Sequence, residues 1–416
     1  MTGRDPLDAI QGLTRWNSGT DGDSPDGRRR RAGVGAARSS HLVPEKGRTV
    51  DDVYMRRALE LAERGTGLVS PNPLVGAVVV RGDEVVGEGW HEGRGRPHAE
   101  IGALEAAGDR AGGATLYVSL EPCSHFGRTP PCVPRIVEAG IARVVAALRD
   151  PNPQVDGQGV ARLREAGVEA SVGLLAEEAR RQNAAFLKHV RTGLPHVVLK
   201  MAASLDGKVA ARDGTSRWIT GEPARAEVHR MRAAADAILV GASTAVRDDP
   251  SLTVRDPSYR GRPPLRVIVD GRGAAPPSLT VFADGQAPTL VATTEKAPSS
   301  RREEWRRGGA EVVVLDPERG TARVSLPALF SELGKRDVQG ALVEGGPTIA
   351  WEAVRTGMVD EVVVFVAPLL VGGRQALSVL EGEGIETIAR AHRLDILDVE
   401  RVGDDLKVVA RVHRDR

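Results

Sequence analysis

Cysteine is the scarcest chemistry-bearing residue here: two in 416 residues are far too few for a disulfide scaffold, and a reducing cytosol argues against even one structural disulfide. Aromatics are only 3% of the chain, so the cores must be built from Val, Leu, Ile and Ala, and a stacking groove for single-stranded nucleic acid is not available. Net charge is nearly absent too. With 57 Lys and Arg against 56 Asp and Glu, no global field exists to attract nucleic acid or anionic lipid, and any phosphate affinity must be local. No apolar run approaches the roughly 20 residues needed to cross a bilayer, and the opening residues lack the apolar core of a signal peptide. The composition predicts a cytoplasmic protein with no membrane or nucleic-acid partner and no repeat of fixed period.

The length suits two domains of ordinary size. Residues 1–48 are rich in Gly, Arg, Ser and Asp without apolar periodicity, and read as a disordered tail. The run Arg28 to Arg31 within it reads as a solvated basic segment, or as the trace of an upstream start codon, in preference to a nucleic-acid arm. Order begins at Thr49 with a capping pattern ahead of Val53, Met55, Leu59 and Ala62, which predicts a helix ending at Gly65. "LVGAVVV" and "EVVGEGW" predict a hairpin. Strands "ATLYVSL", "ARVVAAL" and "VEASVGL" then alternate with helices near 99–107, 131–139, 158–166 and 176–191, the pattern of an α/β layer with parallel strands. "RTGLPH" at 191–196 predicts the joint, giving domains 49–193 and 194–416. The second series has strands at "VVLKMAAS", "AILVG", "LRVIVDG", "TLVATT", "EVVVLD", "GALVEGG" and "EVVVFVAP", with helices near 222–234, 325–334 and 348–356. It closes with two antiparallel strands about a Gly-Asp-Asp turn.

Both cysteines fall in "EPCSHFGRTPPC". Together with the helix start "PHAE" they supply one imidazole and two thiols, His98, Cys123 and Cys132, at strand ends or helix starts. That ligand set predicts an open zinc site whose fourth position is left for water. Glu100, two residues beyond the histidine, is the general acid and base such a site needs. His-x-Glu followed by Pro-Cys and a second Cys is the signature of zinc-dependent nucleobase deaminases, although eight residues separate the thiols here where two are usual. The competing reading is a closed structural site with His91 or His125 as fourth ligand. His125 otherwise reads as a loop or substrate-facing residue.

"PNPLVGAVVV", "GEGWHEG", "HAE" and "EPCSHFGRTPPC" resemble the bacterial bifunctional riboflavin-biosynthesis deaminase and reductase, over residues from about 50 to 410. The resemblance implies a cytidine-deaminase-like three-layer domain that removes the C2 amine of a diaminopyrimidinone bearing a phosphoribosylamino group. It further implies that Asn72 and His91 contact the pyrimidine and that Arg128 lies near the phosphate or ribose; a solvated loop charge is the plainer reading of Arg128.

The second half has no cysteine and no His-x-Glu, so its chemistry must differ. "GALVEGGPT" places glycines between a strand and a helix, where backbone N–H groups can approach an oxyanion, but it is not GxGxxG and disfavours a Rossmann fold. The strand end "AILVG" is expected to pass into a polar loop carrying Thr244, Asp248 and Arg255, lining a crevice at the carboxyl ends of strands. Trp218 could cover a flat ring or pack in the core. "KMAASLDGKVA", "RWIT", "LVGASTAVRDDPSLTVR" and "VEGGPT" are similar to the reductase domain of the same family, which implies a dihydrofolate-reductase-like fold and NADPH. By matching positions, Ala202, Trp218, Thr244, Asp248, Gly346, Pro347 and Thr348 would hold NADPH. Ser216, Arg232, Leu252, Arg255 and Glu344 would hold the substrate, the two arginines offering forked donors for a ribose phosphate. Lys200 and Glu344 are candidates for moving protons, with a structural or phosphate-binding role as the alternative for Lys200. The resemblance also implies small phosphorylated pyrimidine substrates and a homo-oligomer, dimer or tetramer.

Overall fold

The computed structural model describes residues 49–127, 129–152 and 155–413; the expected tail at 1–48 lies outside them. Thr49 caps α1 (Val50–Glu63): its hydroxyl accepts from the Asp52 amide while the Asp52 carboxylate accepts from the Thr49 amide, a capping box. A hairpin of β1 (Gly76–Arg81) and β2 (Glu84–Trp90) follows. Then come α2 (Ala99–Ala107), β3 (Thr115–Val118), α3 (Cys132–Glu138), β4 (Arg143–Ala146), α4 (Gln158–Glu165), β5 (Glu169–Val172), α5 (Ala176–Gln182) and α6 (Ala184–Thr192). The strands form one sheet in the order β2-β1-β3-β4-β5, antiparallel at the hairpin and parallel from β3 to β5.

Strand periodicity explains the layering. Along β1, Ala77 and Val79 join a buried cluster with residues of α2, α3 and α4, whereas Val78 and Val80 join another with α1, α5 and α6. Alternate side chains point to opposite faces, so helices must cover both. The helix expected over 176–191 is in fact two. Asn183 interrupts it because its buried side chain accepts from the Leu74 amide at 2.8 Å and donates to the Leu74 carbonyl at 2.9 Å, a pair of long-range bonds that outweighs helix continuity.

Gly193, with φ of 70°, ends α6, and the second sheet begins at once with β6 (His196–Ser204). It continues through α7 (Glu222–Ala234), β7 (Ala237–Gly241), α8 (Ala242–Asp248), β8 (Leu265–Val269), α9 (Thr280–Ala283), β9 (Thr289–Thr293), α10 (Ser299–Arg307) and β10 (Glu311–Val314). The chain ends with α11 (Leu326–Lys335), β11 (Gly340–Gly345), α12 (Pro347–Arg355), β12 (Glu361–Ala367), β13 (Leu394–Val402) and β14 (Asp405–Val412). The nine strands lie in the order β10-β9-β8-β7-β11-β6-β12-β14-β13, parallel up to β12 and antiparallel thereafter. Leu239 packs with α11 and α12, while Ile238 and Val240 pack with α8, α9 and α10. The stretch after β7, expected as a polar loop, is the helix α8: buried Ala245 anchors the polar sequence "ASTAVRD" against the sheet. Lys188 of α6 pairs with Asp360 at 2.5 Å, and the same carboxylate accepts from the Val197 amide, which ties the first half to the start of β6.

Candidate active sites

The first site depends on how closely α2 approaches the hairpin. A Cβ on Gly87 would lie 2.1 Å from the Ala103 carbonyl oxygen and one on Gly89 2.3 Å from that of Ala99, so only glycine permits this seat. His98 is the residue before α2, and Cys132 opens α3. His98 Nδ1 lies 3.2 Å from Cys132 Sγ and 3.5 Å from Cys123 Sγ, and the three ligand atoms all fall within 4.8 Å of one another. Ligands about 2.0 and 2.3 Å from a tetrahedral zinc sit about 3.6 Å apart, so the donor set fits that ion. Neither His91 nor His125 joins the group.

The electrostatics match a cation site. A hydrogen bond with the Cys132 thiol, reinforced by His98, holds the Cys123 thiol well below its usual range, and the same bond together with burial pushes Cys132 up. One sulfur ionises readily; the other needs a cation to follow it. His98 is raised, chiefly by its bond to Cys123. Its Nε2 lies 3.0 Å from Thr129 Oγ1, an outer contact that orients the ring. Glu100, in the first turn of α2 and 3% exposed, has its carboxyl pushed above the usual range by burial.

His98, Glu100 and Cys123 line a cavity of about 300 Å³ whose walls include Asn72, His91, His125 and Asp150. His91 Nδ1 lies 3.2 Å from the Pro97 carbonyl, which can only accept, so Nδ1 carries the proton and Nε2 accepts from Asn72 Nδ2 at 2.9 Å. Burial favours this neutral ring by holding its pKa down. The Asn72 amide is thereby oriented, with its Oδ1 left as an acceptor. Arg128 lies outside the described residues.

Three residues here were not foreseen. Thr129 is one. Glu121, 3% exposed, accepts from the backbone amides of Asp150, Gly157 and Val160 and so seats α4 beside the site. Asp150, whose carboxyl is raised to about 6 by burial, forms part of the cavity wall. The only signal for Glu121 was an acidic residue flanking a ligand in an apolar context.

The second site is assembled by sheet order. β11 lies between β6 and β7, with Val343 opposite Leu199 on one side and Leu239 on the other, so Lys200 and Glu344 become neighbours despite their distance in sequence. Arg232 of α7 grips Glu344 with both forks, Nε to Oε1 at 2.6 Å and Nη2 to Oε2 at 2.8 Å, and donates a third bond to the Thr253 carbonyl. The bidentate face expected for a ribose phosphate is thus occupied by Glu344. Burial pushes Glu344 up, but Arg232 and Lys200 outweigh it and hold the carboxyl below its usual range. Burial likewise lowers Lys200, against the pull of Glu344.

Gly346 caps α12 with φ of 83°, and a Cβ there would lie 2.9 Å from Thr244 Oγ1. Among the described residues that buried hydroxyl has no hydrogen-bond partner. An orphaned hydroxyl beside a glycine turn and the amides of Thr348 and Ile349 fits a nucleotide phosphate or amide. Ala202 lies two residues beyond Lys200 on β6. The Asp248 carbonyl at the end of α8 accepts from the guanidinium of Arg217, the residue between Ser216 and Trp218. Trp218 is 68% exposed with the Arg225 guanidinium 4.6 Å from its ring centroid, so it does not pack in the core. Leu252 does: its side chain is buried among Ile238, Val240 and Ile268. Arg255 is exposed in the same loop, bonded to Ser251 Oγ at 2.8 Å. Behind them the buried Arg266, also unforeseen, pairs with Asp284 and donates to the Ser251 carbonyl.

The fold and the first site define a zinc-type deaminase domain followed by a second α/β domain with a nucleotide-type crevice. Residues 48–148 match the cytidine and deoxycytidylate deaminase zinc-binding region, and residues 195–408 match the RibD C-terminal domain. The riboflavin biosynthesis protein RibD of Bacillus amyloliquefaciens is 43% identical over 87% of this chain and 96% of its own length. The Escherichia coli protein of the same name is 42% identical over 86% of this chain and 98% of its own. The structure of Acinetobacter baumannii RibD superposes with a TM-score of 0.77 at 37% identity, covering 88% of this chain and 99% of that one. A Thermotoga maritima diaminohydroxyphosphoribosylaminopyrimidine deaminase/5-amino-6-(5-phosphoribosylamino)uracil reductase gives the same TM-score, identity and coverage. The chain belongs to the RibD family of riboflavin-biosynthesis enzymes, in which a deaminase and a reductase share one polypeptide.

Proposed function

We propose that the first half deaminates 2,5-diamino-6-(5-phosphoribosylamino)pyrimidin-4-one and that the second uses NADPH to reduce the ribosyl group of 5-amino-6-(5-phosphoribosylamino)uracil to ribityl. The convergence of His98, Cys123 and Cys132 beside the buried Glu100 carries the deaminase reading. Zinc held by these three side chains supplies Lewis acidity that makes water a nucleophile near pH 7. Glu100 takes a proton from the attacking water and delivers it to the C2 amine, which leaves as ammonia; the hydroxyl left on C2 passes its proton to the adjacent ring nitrogen, so that C2 becomes a carbonyl carbon. A carboxyl raised by burial suits both halves of that transfer. Neutral His91 and Asn72 orient the ring, and Arg128 takes the phosphate.

In the second half NADPH supplies the hydride to C1 of the opened sugar. The glycine turn from Gly346 to Thr348, with the unpartnered Thr244 hydroxyl, supports its binding there, joined by Ala202, Asp248 and the exposed face of Trp218. Lys200, kept readily deprotonated by burial, can give up its Nζ proton to the sugar ring oxygen, and Glu344, clamped by Arg232, tunes that lysine. Arg255 and Ser216 hold the substrate, with Leu252 contributing backbone.

Among the described residues no helix is long and apolar enough to cross a membrane. A phosphorylated substrate, whose charge keeps it from crossing bilayers unaided, supports a cytoplasmic location. A homo-oligomer is supported by the outer β13–β14 ribbon, which exposes Ile396, Val399 and Leu406 at a sheet edge. The decisive experiment is Glu100→Gln. Ammonia release is expected to fall by about 10²–10⁴, with zinc content and NADPH oxidation on the deaminated substrate preserved; an active E100Q enzyme sinks the reading.

A further inference from the structure

The loop that carries Asn72 into the deaminase cavity is held from the other half of the molecule. The Arg262 amide donates to the Gly67 carbonyl at 3.1 Å, and its guanidinium donates to the Ser70 carbonyl. Gln339 Nε2 donates to the Pro71 carbonyl at 2.7 Å. Gly67 itself, with φ of 75°, sits so close to Tyr259 that a Cβ would lie 2.6 Å from the phenol oxygen. Within the first half, the Asn183 side chain grips the loop only at its far end, at Leu74. Gln339 is the rigidly held donor of the two, whereas Arg262 is exposed. Gln339 is 5% exposed, its amide donates to Asp236 at 2.9 Å, and its carbonyl accepts from the His196 amide at the start of β6. One residue beyond Pro71, Asn72 meets His91 on the cavity wall.

We propose that Gln339 and Arg262, residues of the reductase half, are positioning residues for deamination: by fixing the carbonyls of Ser70 and Pro71 they set where Asn72 presents its amide to the pyrimidine. This rests on the reading of Asn72 as a substrate contact. The deaminase pocket is then complete only when the second domain is folded against it. The arrangement also separates the effect from reduction, because Gln339 precedes β11 while Glu344 and Gly346 lie at its far end, about 16 Å along the strand at about 3.3 Å per residue.

The test uses the full chain and follows both activities. Gln339→Leu and Arg262→Ala are each expected to raise the KM for deamination roughly tenfold with kcat within about twofold, and to leave NADPH oxidation unchanged; Arg262→Lys, which keeps a donor, should recover most of the loss. Adding Q339L to Asn72→Ala should cost little beyond N72A alone, because the two act through one contact. Parallel losses in both activities, or a deamination KM unmoved by Q339L and R262A while N72A raises it, overturn the proposal. If Q339L raises the KM and N72A does not, the hold on the loop stands and Asn72 loses its substrate role. No change in any of the three removes both.

Discussion

The two sites are built on different principles. The metal site takes its three ligands and its carboxylate from residues 98–132, one short stretch in which two helix starts and one strand end converge. The reductase crevice draws Lys200, Arg232, Thr244 and Glu344 from four separate elements that meet only because β11 inserts between β6 and β7. A metal tolerates a small number of donors with strict identity, so identity and spacing announce it. A crevice for a dinucleotide is made largely of backbone and of strand order, which any of several side chains can line.

Removing the metal should break the comparison most completely. Exhaustive chelation is expected to abolish ammonia release while NADPH oxidation on the deaminated substrate continues, both followed spectrophotometrically; equal loss of both would mean the sites are not separable. Next in size is Gly346→Val, which forces a β-branched side chain onto a backbone at φ 83° and into the Thr244 hydroxyl. A penalty of at least ~1–2 kcal/mol predicts a rise in the KM for NADPH of about fivefold to thirtyfold or more, with deamination untouched.

The smallest effect concerns the frame of the first site. Asp51 on α1 pairs with Arg143 of β4 at 2.7 Å and accepts from Tyr117 of β3. The Arg143 hydrogen bond comes first among the causes that hold its carboxyl below the usual range, so the stabilisation is present above about pH 4, the unfolded value, and fades as pH falls through the folded one. Asp51→Asn should therefore lower Tm at pH 7 by an amount equivalent to up to about 1 kcal/mol, since the pair is a third exposed, and the gap from the unaltered protein should close toward pH 3.

Legibility followed the same divide. The capping box at Thr49, the hairpin, and the grouping of His98, Glu100, Cys123 and Cys132 were readable because each depends on neighbours a few positions apart. Thr129 behind His98, Glu121 beneath α4 and Arg266 behind the Ser251 loop were not, since each acts through partners far along the chain or through backbone groups that carry no residue signature. The polar sequence of α8 reads as a loop until Ala245 is seen in the core, and Asn183 gives no hint that Leu74 will break its helix.

By itself the sequence determined the α/β alternation, the donor set for zinc and its attendant carboxylate, because periodicity and ligand chemistry are properties of short segments. Only the tertiary structure decided that Glu344 would be spent on Arg232, that Trp218 would stand in solvent, and that Gln339 would reach across to the Asn72 loop. Hydrogen bonds and burial depend on which surfaces meet, and that is settled by strand order and domain packing.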